Sequence, residues 1–129
     1  MAQVKIYGHK ATLERNKIAI SEIIHNAITQ IFRIPKDKRF HRFFYLEDEN
    51  FIYPSPRTDN YLIIEIHIMS GRLTTTKKDL IKRLFADFQT QLNISSVDVE
   101  IVILESPPEN WGFRGLNGDD ANLVYPINI

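Results

Sequence analysis

Residues 69–80, MSGRLTTTKKDL, put a single arginine where an anion could be held. An apolar run, LIIEIHIM, stops at Ser70-Gly71-Arg72, and three threonines then open a helical pattern. Gly71 permits a tight turn, and Thr74 or Thr75 can cap the helix that follows. Helix amino-terminal amides beside a guanidinium suit a carboxylate or a phosphate. The plainer reading of Arg72 is a surface side chain in a turn. A second cluster is WGFRG, 111–115. Trp111 and Phe113 could wall a pocket and Arg114 could face an anion, or the aromatics could anchor the carboxyl-terminal tail. The basic residues between Arg33 and Arg42, Lys38 among them, form either a solvated face or an anion-binding edge.

Other chemistry is poorly represented. His9, His25, His41 and His67 form no HxH or HExxH pair, so no metal site is expected. Glu65 and His67 share a strand face and read as a polar pair in an interface before an acid–base pair. No GxSxG, GxxxxGK[ST] or GxGxxG is present, and the chain has no cysteine. What remains is moving a proton or polarising a carbonyl, without a cofactor.

These residues need elements to position them. QVKIY, 3–7, alternates like a strand, and Gly8 is expected to break it. From about Thr12, Leu13, Ile20, Ile23, Ile24, Ala27, Ile28 and Ile31 make one helical stripe, with Pro35 marking its end. RFHRFFYL, 39–46, reads as a strand. The order then repeats: a strand over 61–69, a helix over about 74–92, and a strand over 97–104. The helix ends TQIFRI and TQLNI are themselves alike. The period of roughly 60 residues exceeds that of the usual solenoid repeats. The expectation is therefore an α+β fold, α/β by connectivity. Two β-α-β units (about 3–46 and 61–104) form a four-stranded sheet in a single domain, 1–129, with a tail over 105–129. Both helices should cover the face carrying Leu62, Ile64, Ile66 and Ile68. The other face would mix Ile63, Met69, Val102 and Leu104 with Glu65, His67 and Glu100, and no third helix is available to cover it. A half-apolar bare face is explained by oligomerisation.

The bulk numbers agree with a globular chain. At 129 residues, 43% apolar and 25% charged, with a formal net charge of zero, it lacks the basic excess of a general nucleic-acid binder. No apolar run approaches the ~20 residues of a membrane span. The start, MAQVKIYGHK, carries no apolar signal segment, so the cytoplasm is the expected location.

The duplicated pattern, with FRIPKDKRF (32–40), IMSGRLTTTKKDLIKRLF (68–85) and PPENWGFRG (107–115), resembles the tautomerase superfamily. It is most similar to the branch that includes malonate semialdehyde decarboxylase. The resemblance covers nearly the whole chain. It implies a homotrimer with sheets inside and helices outside, and a pocket at a subunit boundary near the amino terminus. In that family an amino-terminal proline moves the proton and arginines hold the carboxylate of a 2-oxo or 3-oxo acid. Here the proline is absent and Ala2 takes its place. The branch's assisting aspartate falls on Lys38, next to Asp37. Of two branch arginines, one falls on Ser70 and the other on Arg72. Methionine removal would leave Ala2 as a primary amine, able to act as a base or to form an imine. The resemblance thus implies keto–enol proton transfer on a small oxo-carboxylic acid. Ala2 and Lys38 would handle the proton, and Arg72, Trp111, Phe113 and Arg114 would bind the substrate. The alternatives are a trimeric, non-catalytic binder of an acidic metabolite, a structural pseudo-enzyme, or a decarboxylase or hydratase of a 3-oxo acid.

Overall fold

A computed structural model describes residues 2–129. Strand β1 (Ala2–His9) leads directly into helix α1 (Lys10–Ile31), and β2 (His41–Leu46) follows. After a loop come β3 (Leu62–Met69), α2 (Thr74–Leu92) and β4 (Val99–Ser106). The tail adds a hairpin of β5 (Gly112–Phe113) and β6 (Leu116–Asn117). The four long strands form one mixed sheet in the order β2-β1-β3-β4. Each outer strand is parallel to its inner neighbour, and β1 and β3 run antiparallel at the centre. This is the expected β-α-β architecture.

Alternation decides which face is filled. Leu62, Ile64, Ile66 and Ile68 of β3, with Val4 and Ile6 of β1, are fully buried. They share one core with Leu13, Ile20 and Ile24 of α1 and Leu80, Leu84 and Phe88 of α2. The two helix ends match in geometry as well as in sequence. Arg33 and Asn93, just beyond α1 and α2, both have left-handed backbone, with φ of 57° and 53°. Ile34 and Ile94, the next residues, are both buried.

Three expectations need correction. Gly8 does not end β1; the strand continues through His9, and α1 begins at Lys10 rather than Thr12. A Cβ at Gly8 would lie 3.0 Å from Leu62 and 3.1 Å from Leu13, so this glycine lets the first turns of α1 approach the sheet. The threonines after Arg72 do not cap α2. Leu73 is the cap residue, without a side-chain bond, and its amide meets the main-chain oxygen of Ile129 at 2.9 Å. The bare sheet face is also not wholly bare. The tail packs Gly118 between Met69 and Trp111, which buries Met69 fully.

The rest of that face is polar and apolar together. Tyr7 donates to Glu65 at 2.6 Å, Arg42 to Gln3 at 3.0 Å, and Tyr61 to Glu100 at 2.7 Å. Burial and the Glu100 bond push the Tyr61 phenol up to about 12. Glu65 thus bonds to Tyr7 across the sheet, not to His67 as the shared strand face suggested, and His67 Nε2 is buried without a partner among the described residues. Phe44, Val102 and Leu104 on the same face remain substantially exposed. No helix of the described residues is long and apolar enough to cross a membrane.

Candidate functional site

The sheet register brings three of the expected site segments to one end. Ala2 pairs with Ile68 at the close of β3, two residues before Ser70 and four before Arg72. The amide of Val4 donates to the Phe40 carbonyl at 2.9 Å, which draws the segment bearing Lys38 alongside the start of β1. Ala2 itself is buried, at 4% exposure. Removal of Met1, on which a free Ala2 amine depends, lies outside the described residues.

Arg72 is not a surface side chain. It is only 5% exposed, and its guanidinium carbon lies 4.4 Å from the centre of the Phe32 ring. That ring follows the last turn of α1, so the helix end supplies the platform and the β3–α2 turn supplies the cation. Nη1 makes one long bond, 3.4 Å, to the Met69 carbonyl. Nε and Nη2 have no partner among the described residues. Buried guanidinium donors without acceptors are costly and uncommon. Burial lowers the pKa of this guanidinium from its ordinary value, while Tyr125 and Glu105 oppose the shift. A carboxylate could satisfy Nε and Nη2 together, in the side-on geometry that arginine favours. The amide of Leu73, the residue just before α2, is engaged with the tail at Ile129.

A cavity of about 240 Å³ opens at the same end. Lys38 and Phe40 line it from the segment before β2, Phe113 and Arg114 from the hairpin, and residues 122–125 from the tail. Arg114 and Gly115 both have positive φ, 53° and 77°, which makes the tight hairpin turn and puts Arg114 at its tip. The Arg114 guanidinium lies 5.1 Å from the Phe113 ring centre. Tyr125 lines the cavity. Burial raises its phenol pKa, and the positive charges of Arg72 and Arg114 pull it back. Lys38, Phe113 and Arg114 therefore share one cavity; Arg72 does not line it, although its charge acts on the Tyr125 phenol. Trp111 does not line it. Trp111 packs against Gly118, and its Nε1 is buried without a partner among the described residues. Ala2 does not line it either.

Sequence reasoning did not assign Tyr125, Phe40 or Phe32 to the site. Tyr125 lies 53 residues beyond Arg72, and no spacing in the sequence relates the two. Three of the four histidines have hydrogen-bond partners outside the cavity. His9 contacts Asp48 at 2.9 Å and Tyr53 at 2.5 Å, His25 bonds to the Lys36 carbonyl at 2.7 Å, and His41 contacts Ser21 at 2.8 Å.

A family model described as "Tautomerase enzyme" matches residues 38–114. The chain belongs to the tautomerase family. The matched span runs from Lys38 through Arg72 to Arg114, so it takes in most of the site just described. Solved structures share the fold of this tautomerase-family chain. FG41 malonate semialdehyde decarboxylase, inhibited by 3-bromopropiolate, superposes with a TM-score of 0.76 at 22% identity, covering 86% of this chain and 88% of that one. Pt0534, inactivated by 2-oxo-3-pentynoate, superposes at 0.82 and 18% identity, covering 93% and 99%. The R7 fused 4-OT wild-type asymmetric trimer gives 0.79 at 17% identity, covering 91% and 96%. At these identities the likeness is one of fold.

Proposed function

We propose that this chain catalyses keto–enol proton transfer on a small oxo-carboxylic acid, and does so as a homotrimer. The observation that carries the reading is Arg72, a buried guanidinium with two unpartnered donors at the sheet end where β1 begins. The substrate carboxylate accepts from Nε and Nη2, which orients the carbonyl and the adjacent carbon. Once Met1 is removed, the Ala2 amine takes the proton from that carbon. An α-amine has an ordinary pKa of about 7.7–8.0, so a usable fraction is neutral near pH 7. Electrons move into the carbonyl, the enolate oxygen that forms is stabilised by the positive charge of Lys38 or Arg114, and the Ala2 ammonium returns its proton to that oxygen, which restores the neutral amine. The reverse sequence returns the keto form. Trp111 acts indirectly, holding the hairpin through its packing on Gly118.

Enol-to-keto conversion of a panel of 2-oxo acids, phenylpyruvate included, followed by ultraviolet absorbance, tests this. Hydrogen bonds to charged groups contribute about 1.5–3 kcal/mol, so Arg72→Met should lower kcat/KM by roughly 10- to 100-fold. A thermal melt checks that the variant is folded. Blocking the amino terminus should abolish turnover. Turnover surviving both changes would refute the assignment. The absence of the proline favours a second reading, a non-catalytic binder of an acidic metabolite. Saturable carboxylate binding sensitive to Arg72, with no turnover by the wild type, would select it. The fold shared with a malonate semialdehyde decarboxylase keeps decarboxylation of a 3-oxo acid as a further alternative, read out by carbon dioxide release.

A further inference from the structure

The free donors of Arg72 are shut away. Nε and Nη2 are closed to solvent, the residue is only 5% exposed, and it lines no part of the 240 Å³ cavity. An anion reaches them only when a covering group moves. Phe32, on one side, is fully buried and belongs to the core at the end of α1. The Met69 carbonyl closes β3, a strand paired along both edges. Neither can swing aside without opening close-packed structure. Glu105, whose charge also acts on Arg72, is held by Lys77 at 2.6 Å. The cover able to move is the tail. Tyr125 is near enough for the Arg72 charge to act on its phenol. A Cβ on Gly71 would sit 3.2 Å from the main-chain oxygen of Ile127, and the Leu73 amide donates to that of Ile129 at 2.9 Å. The residues on both sides of Arg72 thus carry the tail. Residues 121–129 contain no helix or strand, and Val124 is 79% exposed. A stretch with so little regular structure opens at low cost.

We infer that residues 121–129 form a strap over Arg72, latched at Gly71 and Leu73, which lifts before an anion meets Nε and Nη2. The inference rests on the reading of Arg72 given above for the anion, and adds that the chain's own carboxyl end controls access to it. Leu123, Val124 and Tyr125 belong to the strap and also wall the cavity. Lifting them would open the cavity towards the guanidinium.

Phenylglyoxal, which adds to accessible guanidinium groups, tests this without depending on turnover. Its reaction with Arg72 and with Arg15, an exposed arginine on α1, is followed by peptide mass mapping of the full chain. In the wild type Arg72 should react much more slowly than Arg15. Leu73→Pro removes the latch amide but suits the backbone, whose φ there is already −65°, and the side chain it replaces is 56% exposed. Loss of one hydrogen bond predicts a roughly 2- to 10-fold faster reaction at Arg72, with Arg15 unchanged. Removing residues 127–129 deletes both latch contacts and should raise the rate further. Native-state hydrogen exchange needs no variant: in the wild type the Leu73 amide should exchange well ahead of the amides at the centre of β3. The strap is overturned by Arg72 reacting as fast as Arg15 in the wild type, by a rate unchanged in both variants, or by Leu73 exchanging as slowly as β3. Faster reaction at Arg72 in the variants, with no oxo-acid turnover by the wild type, would keep the strap and refute the tautomerase reading instead.

Discussion

Arg72, which is buried, and His41, which is half-buried, show two opposite outcomes of taking a cationic side chain out of water. Arg72 stays charged at any accessible pH, so its unmet donors call for an anion. His41 can shed its proton instead. Burial, and then the neighbouring charges of His25 and Arg39, push its imidazole down to about 4 from the ordinary 6.5. The folded chain therefore binds the His41 proton more weakly than the unfolded chain does. Above pH ~6.5 both states are neutral at this residue and it carries no penalty. As pH falls from there towards about 4, the unfolded state is favoured by protonation, and the stability His41 allowed is lost. A His41→Asn variant should keep more of its melting temperature between pH 7 and pH 4 than the wild type does. Equal acid sensitivity in both would remove His41 as the cause. Arg72 was legible as a strand-end cation, since glycine and threonines flank it. Its burial was not, because that depends on Phe32, forty residues earlier, being turned beneath it by the end of α1.

At the level of elements, local patterns were read well where a side-chain period was sustained. The helices and the β3 core face followed from spacing alone, and the matched helix ends followed from TQIFRI and TQLNI. Single residues misled where a tertiary contact overrode local preference. Gly8 looked like a strand end, yet its lack of a side chain serves the contact between α1 and the sheet. Gly8→Ala would push a methyl against Leu62 and Leu13, and overpacking of this kind costs about 1–3 kcal/mol. Chemical denaturation should show a lower midpoint with an unchanged slope. A midpoint within error of the wild type would mean that α1 can shift outward freely. The tail was the least legible element. Its hairpin turns at Arg-Gly, a weaker signal than Asn-Gly, and its path past Gly71 and Leu73 depends on long-range contacts with Ile127 and Ile129.

For the whole molecule, the sheet face away from the helices carries the assembly prediction. Phe44, Val102 and Leu104 are exposed there beside the Tyr7–Glu65 and Tyr61–Glu100 bonds. Burying such a mixed face against other copies would remove the apolar groups from water. The wild type should run as a trimer by light scattering, and Leu104→Lys should release monomer. A monomeric wild type would overturn the assembly. The two halves of the sheet also have a consequence for counting. β1 and β3 have the same length and the same burial pattern, and they cross antiparallel at the Lys5–Glu65 pair. That pair marks a pseudo-twofold axis, which exchanges the Ala2 end of the sheet with the Leu62 end. The second end is plugged. Phe51, Tyr53 and Tyr61 cluster there with His9, ring centres about 5 Å apart, where the first end has its cavity. Internal duplication would double the number of sites, and this aromatic plug halves it again, so saturation should come at one ligand per chain.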